Sequence, residues 1–169
     1  MATTSSKTAP GAQEAAETLL RQFRGKTITR TQTLDANQLQ KLCLTLGHRH
    51  LPSLGSAVDL TKTTPPDGTP LPPGYHLVYF TPSDLEQDLG HDGTDRTFNA
   101  PEPFTRRMWA GGRMSWLPGS ELRVGDTVQE HTTLLAATPK KSRDGSEMVL
   151  VEVEKKLCSQ RGLAVVDQR

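Results

Sequence analysis

The sequence predicts an α+β fold in which helices come first and an antiparallel sheet follows. Three observations carry this. Two apolar stripes at helical spacing lie before residue 48, β-branched runs joined by a hairpin signal dominate the chain after residue 112, and the proline-rich stretch between them follows neither period. A chain of 169 residues has the length of one domain, and folding at that size removes roughly 70% of the unfolded surface from water.

Residues 1–11 (MATTSSKTAPG) are small and polar and read as a flexible tail. Ala16, Leu19, Leu20 and Phe23 then recur at i, i+3, i+4 and i+7, one helical face that Gly25 ends. Residues 26–34 (KTITRTQTL), rich in Thr and Ile, read as a strand. Asp35 is placed to cap a second helix, with Gln38 in the capping-box position. Leu39, Leu42, Cys43 and Leu46 form its apolar stripe, and Gly47 suits the left-handed position past its end.

From residue 48 to 73 the chain reads as loop, because Pro52, Pro65, Pro66, Pro70, Pro72 and Pro73 break any regular element. Residues 75–80 (YHLVYF) are expected as a short aromatic strand and residues 83–89 as one helical turn. Asp92-Gly93 makes a turn in the loop that runs to Pro103. Beyond it, residues 113–117 read as a short strand and 121–126 as a turn. Residues 127–138 and 147–158 read as two long strands, joined by the Asp144-Gly145 hairpin signal. Val149, Val151 and Val153 alternate with Leu150, Glu152 and Glu154, so one face of the second long strand is apolar. Residues 162–167 supply the last strand, and no internal repeat is present. The expected division is a tail with an N-terminal helix over 1–25 and a domain over 26–169.

Lys and Arg number 20 against 19 Asp and Glu, a net charge of +1, so neither a nucleic acid nor an anionic membrane is an expected partner. No apolar run approaches the roughly 18 residues of a membrane span. Cys43 and Cys158 lie far apart without a CxxC pair, which argues against a thiolate zinc site or a disulfide framework and fits a reducing compartment. Lys7, Arg21, Arg24, Lys26 and Arg30 suit a mitochondrial address, but Glu14 and Glu17 weigh against it. Cytoplasm is the expected location, with the mitochondrion second. A Gly-x-Ser-x-Gly elbow, a Walker loop and a dinucleotide fingerprint are all absent, and no metal or redox cofactor is expected.

Four blocks stand in order: residues 72–80 (PPGYHLVYF), 89–93 (LGHDG), 106–112 (RRMWAGG) and 122–126 (LRVGD). Together they resemble the N-terminal hotdog half of the MaoC-like, mesaconyl-CoA-hydratase type of hydroxyacyl-thioester dehydratases. The resemblance spans about residues 27–169 and is strongest over 72–127, with RRMWAGG its most specific piece. It implies a single hotdog fold, a curled antiparallel β-sheet wrapping a helix. It also implies an acyl thioester of coenzyme A or of a carrier protein as substrate, and a homodimer or a pairing with another hotdog subunit. In catalytic members of that superfamily a helix ends in Gly-Asp and a His follows a few residues later. Here the corresponding residues are Leu46-Gly47-His48-Arg49-His50-Leu51-Pro52-Ser53, with His48 where the Asp belongs and Ser53 near the His position. In two-hotdog members that pair belongs to the C-terminal half, so this chain resembles the half that shapes the acyl pocket.

Other groups are therefore candidates for acid–base work. His76 shares a face of the expected YHLVYF strand with Val78 and Phe80, where an imidazole is either a core residue or a proton carrier near neutral pH. Asp92, clustered with Asp88, His91 and Asp95, is either a turn former or an acid. His48 is either a base or a polar complement to a helix C-terminus. His131 reads as structural. Arg106 and Arg107 are candidates for carrier phosphates or for a solvated basic face, and Arg113 shares that reading. Backbone N–H groups at Gly111 and Gly112 can polarise a thioester carbonyl, or the glycines can simply make a tight turn. Trp109, Met114 and Trp116 line an apolar pocket or pack in the core. The leading expectation is a hydratase or dehydratase of an acyl thioester or a polyketide-like substrate. Its rivals are a hotdog-derived cyclase or isomerase, and a non-catalytic partner of a catalytic hotdog.

Overall fold

The computed structural model describes residues 9–169, so the tail expected over 1–11 lies for the most part outside the described residues. Helix α1 (Ala12–Phe23) leads to strand β1 (Thr27–Thr33) and helix α2 (Ala36–Thr45). A long irregular passage follows, interrupted by short 3₁₀ turns at Gly55–Ala57, Tyr75–Val78 and Glu86–Asp88. Strands β2 (Arg113–Trp116), β3 (Thr127–Lys141), β4 (Glu147–Ser159) and β5 (Gly162–Gln168) complete the chain. They form one five-stranded antiparallel sheet in the order β1-β3-β4-β5-β2.

Local chemistry places α2. The Asp35 carboxylate accepts the Gln38 backbone N–H at 2.8 Å, and Gly47 takes φ 77° just past the helix end. The Gln38 side chain does not close the capping box; its amide reaches the Val78 carbonyl at 3.4 Å. Leu39 and Cys43 are fully buried against Leu34, Val128, Leu157 and Val165, while Leu46 turns out to solvent at 52% exposure, so the apolar stripe is shorter than its spacing suggests. The Val124-Gly125-Asp126 turn anchors the same corner. The Leu34 N–H donates to the Asp126 carbonyl and the Gly125 N–H to the Leu34 carbonyl, both at 2.9 Å.

The alternation of β4 explains how both helices share one face of the sheet. Val149, Val151, Val153, Lys155 and Leu157 point the same way. Val149 and Val151 pack with Leu19 and Ala16 of α1, and Leu157 with Leu39 and Cys43 of α2. A register shift between Leu134 and Ala136 of β3 lets both Leu134 and Ala137 join the α1 cluster. An antiparallel sheet with a helix laid on its inner face is the hotdog architecture that the resemblance implied.

One element differs from expectation. YHLVYF is not a strand: Tyr75–Val78 forms a 3₁₀ turn. Gly74, at φ 87°, reverses the chain after Pro72-Pro73, and the Tyr75 and Leu77 N–H groups bond back to the carbonyls of Pro72 and Gly74. A 3₁₀ turn aligns residues three apart. His76 and Tyr79 therefore bury together; Phe80 is buried as well, while Val78 is only partly buried. The Tyr79 hydroxyl donates to the Asp35 carbonyl at 2.7 Å, tying this turn to the start of α2.

Asp35→Ala removes the cap of α2 and is expected to cost about 1 kcal/mol of unfolding free energy in urea titrations. An unchanged midpoint would mean that the cap contributes nothing.

Candidate functional site

Strand register builds the floor of the site. Residues directly opposite one another in antiparallel strands share a face. Thr132 of β3, Lys155 of β4, Asp167 of β5 and Met114 of β2 form one such row, and Glu130, Leu157, Val165 and Trp116 form the next. Two ionisable pairs thus stand on a face that otherwise carries Thr132 and apolar side chains. Lys155 Nζ donates to both Glu130 carboxylate oxygens at 3.1 Å. Arg169 donates through Nε and Nη2 to Asp167 Oδ2, each at 2.7 Å. Both carboxylates are buried, and pairing is what makes that burial tolerable.

The Tyr75–Val78 turn lowers His76 onto this floor. A cavity of about 270 Å³ lies between them, walled by His76, Leu77 and Phe80 above and by Glu130, Lys155, Asp167 and Arg169 below. His76 is only 3% exposed and Asp167 only 1%. Among the described residues, His76 Nε2 and Asp167 Oδ1 have no hydrogen-bond partner, which is rare for buried polar atoms. Burial pulls the His76 imidazole below its ordinary value, the Asp167 carboxylate pulls it back up, and Arg169 and Lys155 push it down again. The Trp116 ring meets the imidazole edge-on at 6.5 Å between centroids.

Of the residues singled out from sequence, the structure brings Trp116 to His76 and places Met114 opposite Asp167 on β5. The others lie elsewhere. His48 is exposed, its Nδ1 hydrogen-bonded to the Tyr75 hydroxyl at 2.8 Å. Asp92 is a surface turn former: its Oδ1 accepts from the Thr94 hydroxyl and N–H, which hold its carboxyl below the ordinary value. Asp95 pairs with Arg30 at 3.1 Å, and His131 bonds to the Thr29 hydroxyl at 3.0 Å. Arg106, Arg107 and Arg113 are exposed. Trp109 is 70% exposed, so it is not a core anchor; its ring lies beneath the Arg169 guanidinium at 5.8 Å. The Gly111-Gly112 pair has a packing explanation. Gly111 sits at φ 143°, and a Cβ on Gly112 would come within 2.9 Å of the Trp109 ring and 3.0 Å of the Gln168 carbonyl oxygen. Among the described residues no three His, Cys, Asp or Glu side chains cluster as a metal site would require.

Glu130, Lys155, Asp167 and Arg169 escaped the sequence reading, although one signal pointed to them. Lys155 continues the Val149-Val151-Val153 phase, and Asp167 ends a valine-rich strand in phase with Val165. A charge on the apolar phase of a strand is a buried charge.

The family described as hydroxyacyl-thioester dehydratase type 2 matches residues 74–169, more than half of the chain. The chain belongs to this family. Every wall of the cavity falls within the matched stretch. The chain is also similar to the mesaconyl-C(4)-CoA hydratase of Chloroflexus aurantiacus, 34% identical over 88 residues. That alignment takes in 48% of this chain and 31% of the hydratase, so the likeness reaches less than a third of the larger protein. As in the sequence, no helix of this dehydratase-family chain is long and apolar enough to cross a membrane among the described residues.

The depressed His76 pKa has a consequence for stability. The unfolded chain holds this proton more tightly than the folded one. The stability His76 contributes is therefore complete above the ordinary imidazole value, about 6.5, and is lost as pH falls through the lower folded-state value. Thermal unfolding followed from about pH 8 to about pH 5 is expected to show this decline, and His76→Gln to flatten it. An identical pH profile in the variant would contradict a buried, neutral His76.

Proposed function

We propose that this protein adds water to, or removes it from, the acyl group of a thioester, with His76 as the acid–base group. The observation that carries the reading is the buried imidazole whose Nε2 is unpartnered at the cavity, inside the stretch that matches the dehydratase family. A neutral imidazole can accept a proton from carbon or water and return it, which is what elimination next to a thioester needs. Met114 and Trp116, on the rows that carry Asp167 and Val165, form the floor on which the acyl chain lies. Its carrier runs outward past Trp109 and the Gly111-Gly112 turn, where Arg106 and Arg107 meet its phosphates. His48 and Asp92, both exposed and engaged in local hydrogen bonds, receive no part in the chemistry. The buried Cys43 and half-buried Cys158 are free thiols, which suits the cytoplasm.

We further propose that a second hotdog, another copy or a different subunit, covers the mouth of the cavity. Trp109 at 70% exposure, beneath Arg169, and the partly exposed Leu77 and Trp116 leave an apolar rim there. A related reading, that the chain supplies only the pocket and its partner the acid–base pair, is favoured by the end of α2, where His48 replaces the expected Asp.

Crotonyl-CoA and a longer 2-enoyl-CoA, followed by loss of enoyl-thioester absorbance, test this. The purified protein is expected to hydrate at least one, and His76→Gln to lower kcat by about 10²–10⁴-fold. Turnover that survives the substitution would remove His76 from the mechanism. Turnover that appears only when a second hotdog subunit is added would favour the partner reading.

A further inference from the structure

The geometry points to Arg30 as a specificity-determining residue, the tether that holds the loop of residues 81–98 across the end of the cavity away from Trp109 and so limits the length of acyl chain the cavity admits. This role rests on the hydration reading above and deepens it.

Arg30 lies on one of the rows that build the cavity floor. It stands opposite Glu130 in the pairing of β1 with β3, so it shares the inner face with Glu130, Leu157, Val165 and Trp116. That row runs from Arg30 at one edge of the sheet to Trp116 at the other. With the carrier leaving past Trp109, whose ring lies beside Gly112 at the β2 edge, the acyl chain points along the row toward β1. Glu130 gives both of its oxygens to Lys155, which leaves the Arg30 guanidinium to the loop beyond the 3₁₀ turn. Arg30 Nη2 donates to Asp95 Oδ2 at 3.1 Å and lies 3.8 Å from Asp84 Oδ2. The two carboxylates belong to the outgoing and the returning limb of that loop, so one guanidinium spans both.

Among the described residues, nothing else polar fastens the loop. No backbone hydrogen bond of residues 81–98 reaches the sheet, α1 or α2. Apart from the bond with Arg30, its side-chain hydrogen bonds close its own turns, Asp92 with Thr94 and Asp95 with Thr97. Where the loop ends, the Phe98 ring packs on Phe23 of α1 at 4.8 Å between centroids. Where it begins, Thr81 and Pro82 line the cavity. Burial raises the Asp95 carboxyl, but the Thr97 donors and Arg30 together bring it below its ordinary value, so the ion pair is charged on both sides. Both partners are partly buried, which shields the pair from screening by salt.

The other walls are fixed more firmly. The floor is held by strand pairing on both sides of β3, β4 and β5, and the 3₁₀ turn is tied to Asp35 through Tyr79. The cavity measures about 270 Å³, below the roughly 300 Å³ at which ligand pockets usually begin, so the chain that fits with the loop in place is short. A longer chain needs a wall to move, and the wall with the fewest ties is the one Arg30 holds.

Trypsin and enoyl-thioester kinetics test the tether in the full-length protein, with melting curves to report folding. Arg96 is exposed and is the one Lys or Arg in the loop, so cleavage after it reports how often the loop opens. Arg30→Gln is expected to be cut there about tenfold faster, with cleavage after the exposed Arg143 of the β3–β4 hairpin unchanged. Asp95→Asn removes the same ion pair from the loop's side and keeps an oxygen for the Thr97 N–H, so it decides if Arg30→Gln fails to fold. The double variant is expected to be cut no faster than either single one, as for two groups acting through one contact. The ratio of kcat/KM for 2-octenoyl-CoA to that for crotonyl-CoA is expected to rise about tenfold in each variant, whereas a merely structural lesion would lower both values and leave their ratio alone. Unchanged cleavage after Arg96 in the folded variants would overturn the tether. Faster cleavage with an unchanged ratio would overturn its hold on acyl length. Cleavage needs no turnover, so the two readings fail separately: a protein that hydrated neither thioester would overturn the hydration reading and the acyl-length role with it, while the trypsin rates would still decide the tether.

Discussion

Two carboxylates buried on the inner face of a sheet set the terms for everything built on it. Removing a charge from water costs several kcal/mol even after relaxation, and only a close counter-charge makes it tolerable. Glu130 and Asp167 have theirs in Lys155 and Arg169. Lys155 stands on the central strand of the three, opposite Asp167 and within reach of Glu130, so it serves both sides of the row. Apolar side chains cannot close over such a group without orphaning it. The two helices accordingly divide the face, α1 over the hairpin end and α2 over the far end, with the charged patch beside them. The cavity is a consequence of that division.

A second requirement is a lid that is itself partly polar, and the Pro72-Pro73-Gly74 turn supplies it. By forcing YHLVYF into a 3₁₀ turn, the chain puts His76 and Tyr79 on one side. Tyr79 anchors to the carbonyl of Asp35, the residue that caps α2, and His76 is left over the ion pairs. Cap, lid and floor are mechanically one assembly, which is why a surface-looking residue such as Asp35 bears on the geometry of the site.

Much of this was legible in the sequence, for physical reasons that can be named. Period and punctuation gave both helices, all five strands and the Asp144-Gly145 hairpin, because apolar spacing and left-handed glycines are local signals. YHLVYF misled because six apolar and aromatic residues have no period long enough to separate a strand from a tight turn. The deciding information was the Pro-Pro-Gly before it and the lack of a neighbouring strand. Among site residues, His76 was visible as a titratable group in an apolar run. Trp116 came beside it, and Met114 opposite Asp167, through strand pairing that no local pattern reveals. Asp167 and Lys155 were hidden because a strand-final charge reads as solvated until its phase is compared with the valines before it. Trp109 was hidden in another way: a large aromatic beside two glycines suggests burial, yet its ring packs over Gly112 at the surface, beneath Arg169.

Family membership is with the hydroxyacyl-thioester dehydratases, and the proposed chemistry is placed at the cavity beside the buried row of charges. The account stands on one microscopic state: a buried, neutral His76 whose Nε2 carries no proton. Long-range proton–nitrogen correlation NMR of the imidazole at neutral pH reads that state directly. The account predicts a neutral ring with its proton on Nδ1. A ring protonated at both nitrogens would mean that His76 is simply a third cation in a salt-bridge network, and the catalytic account would be wrong.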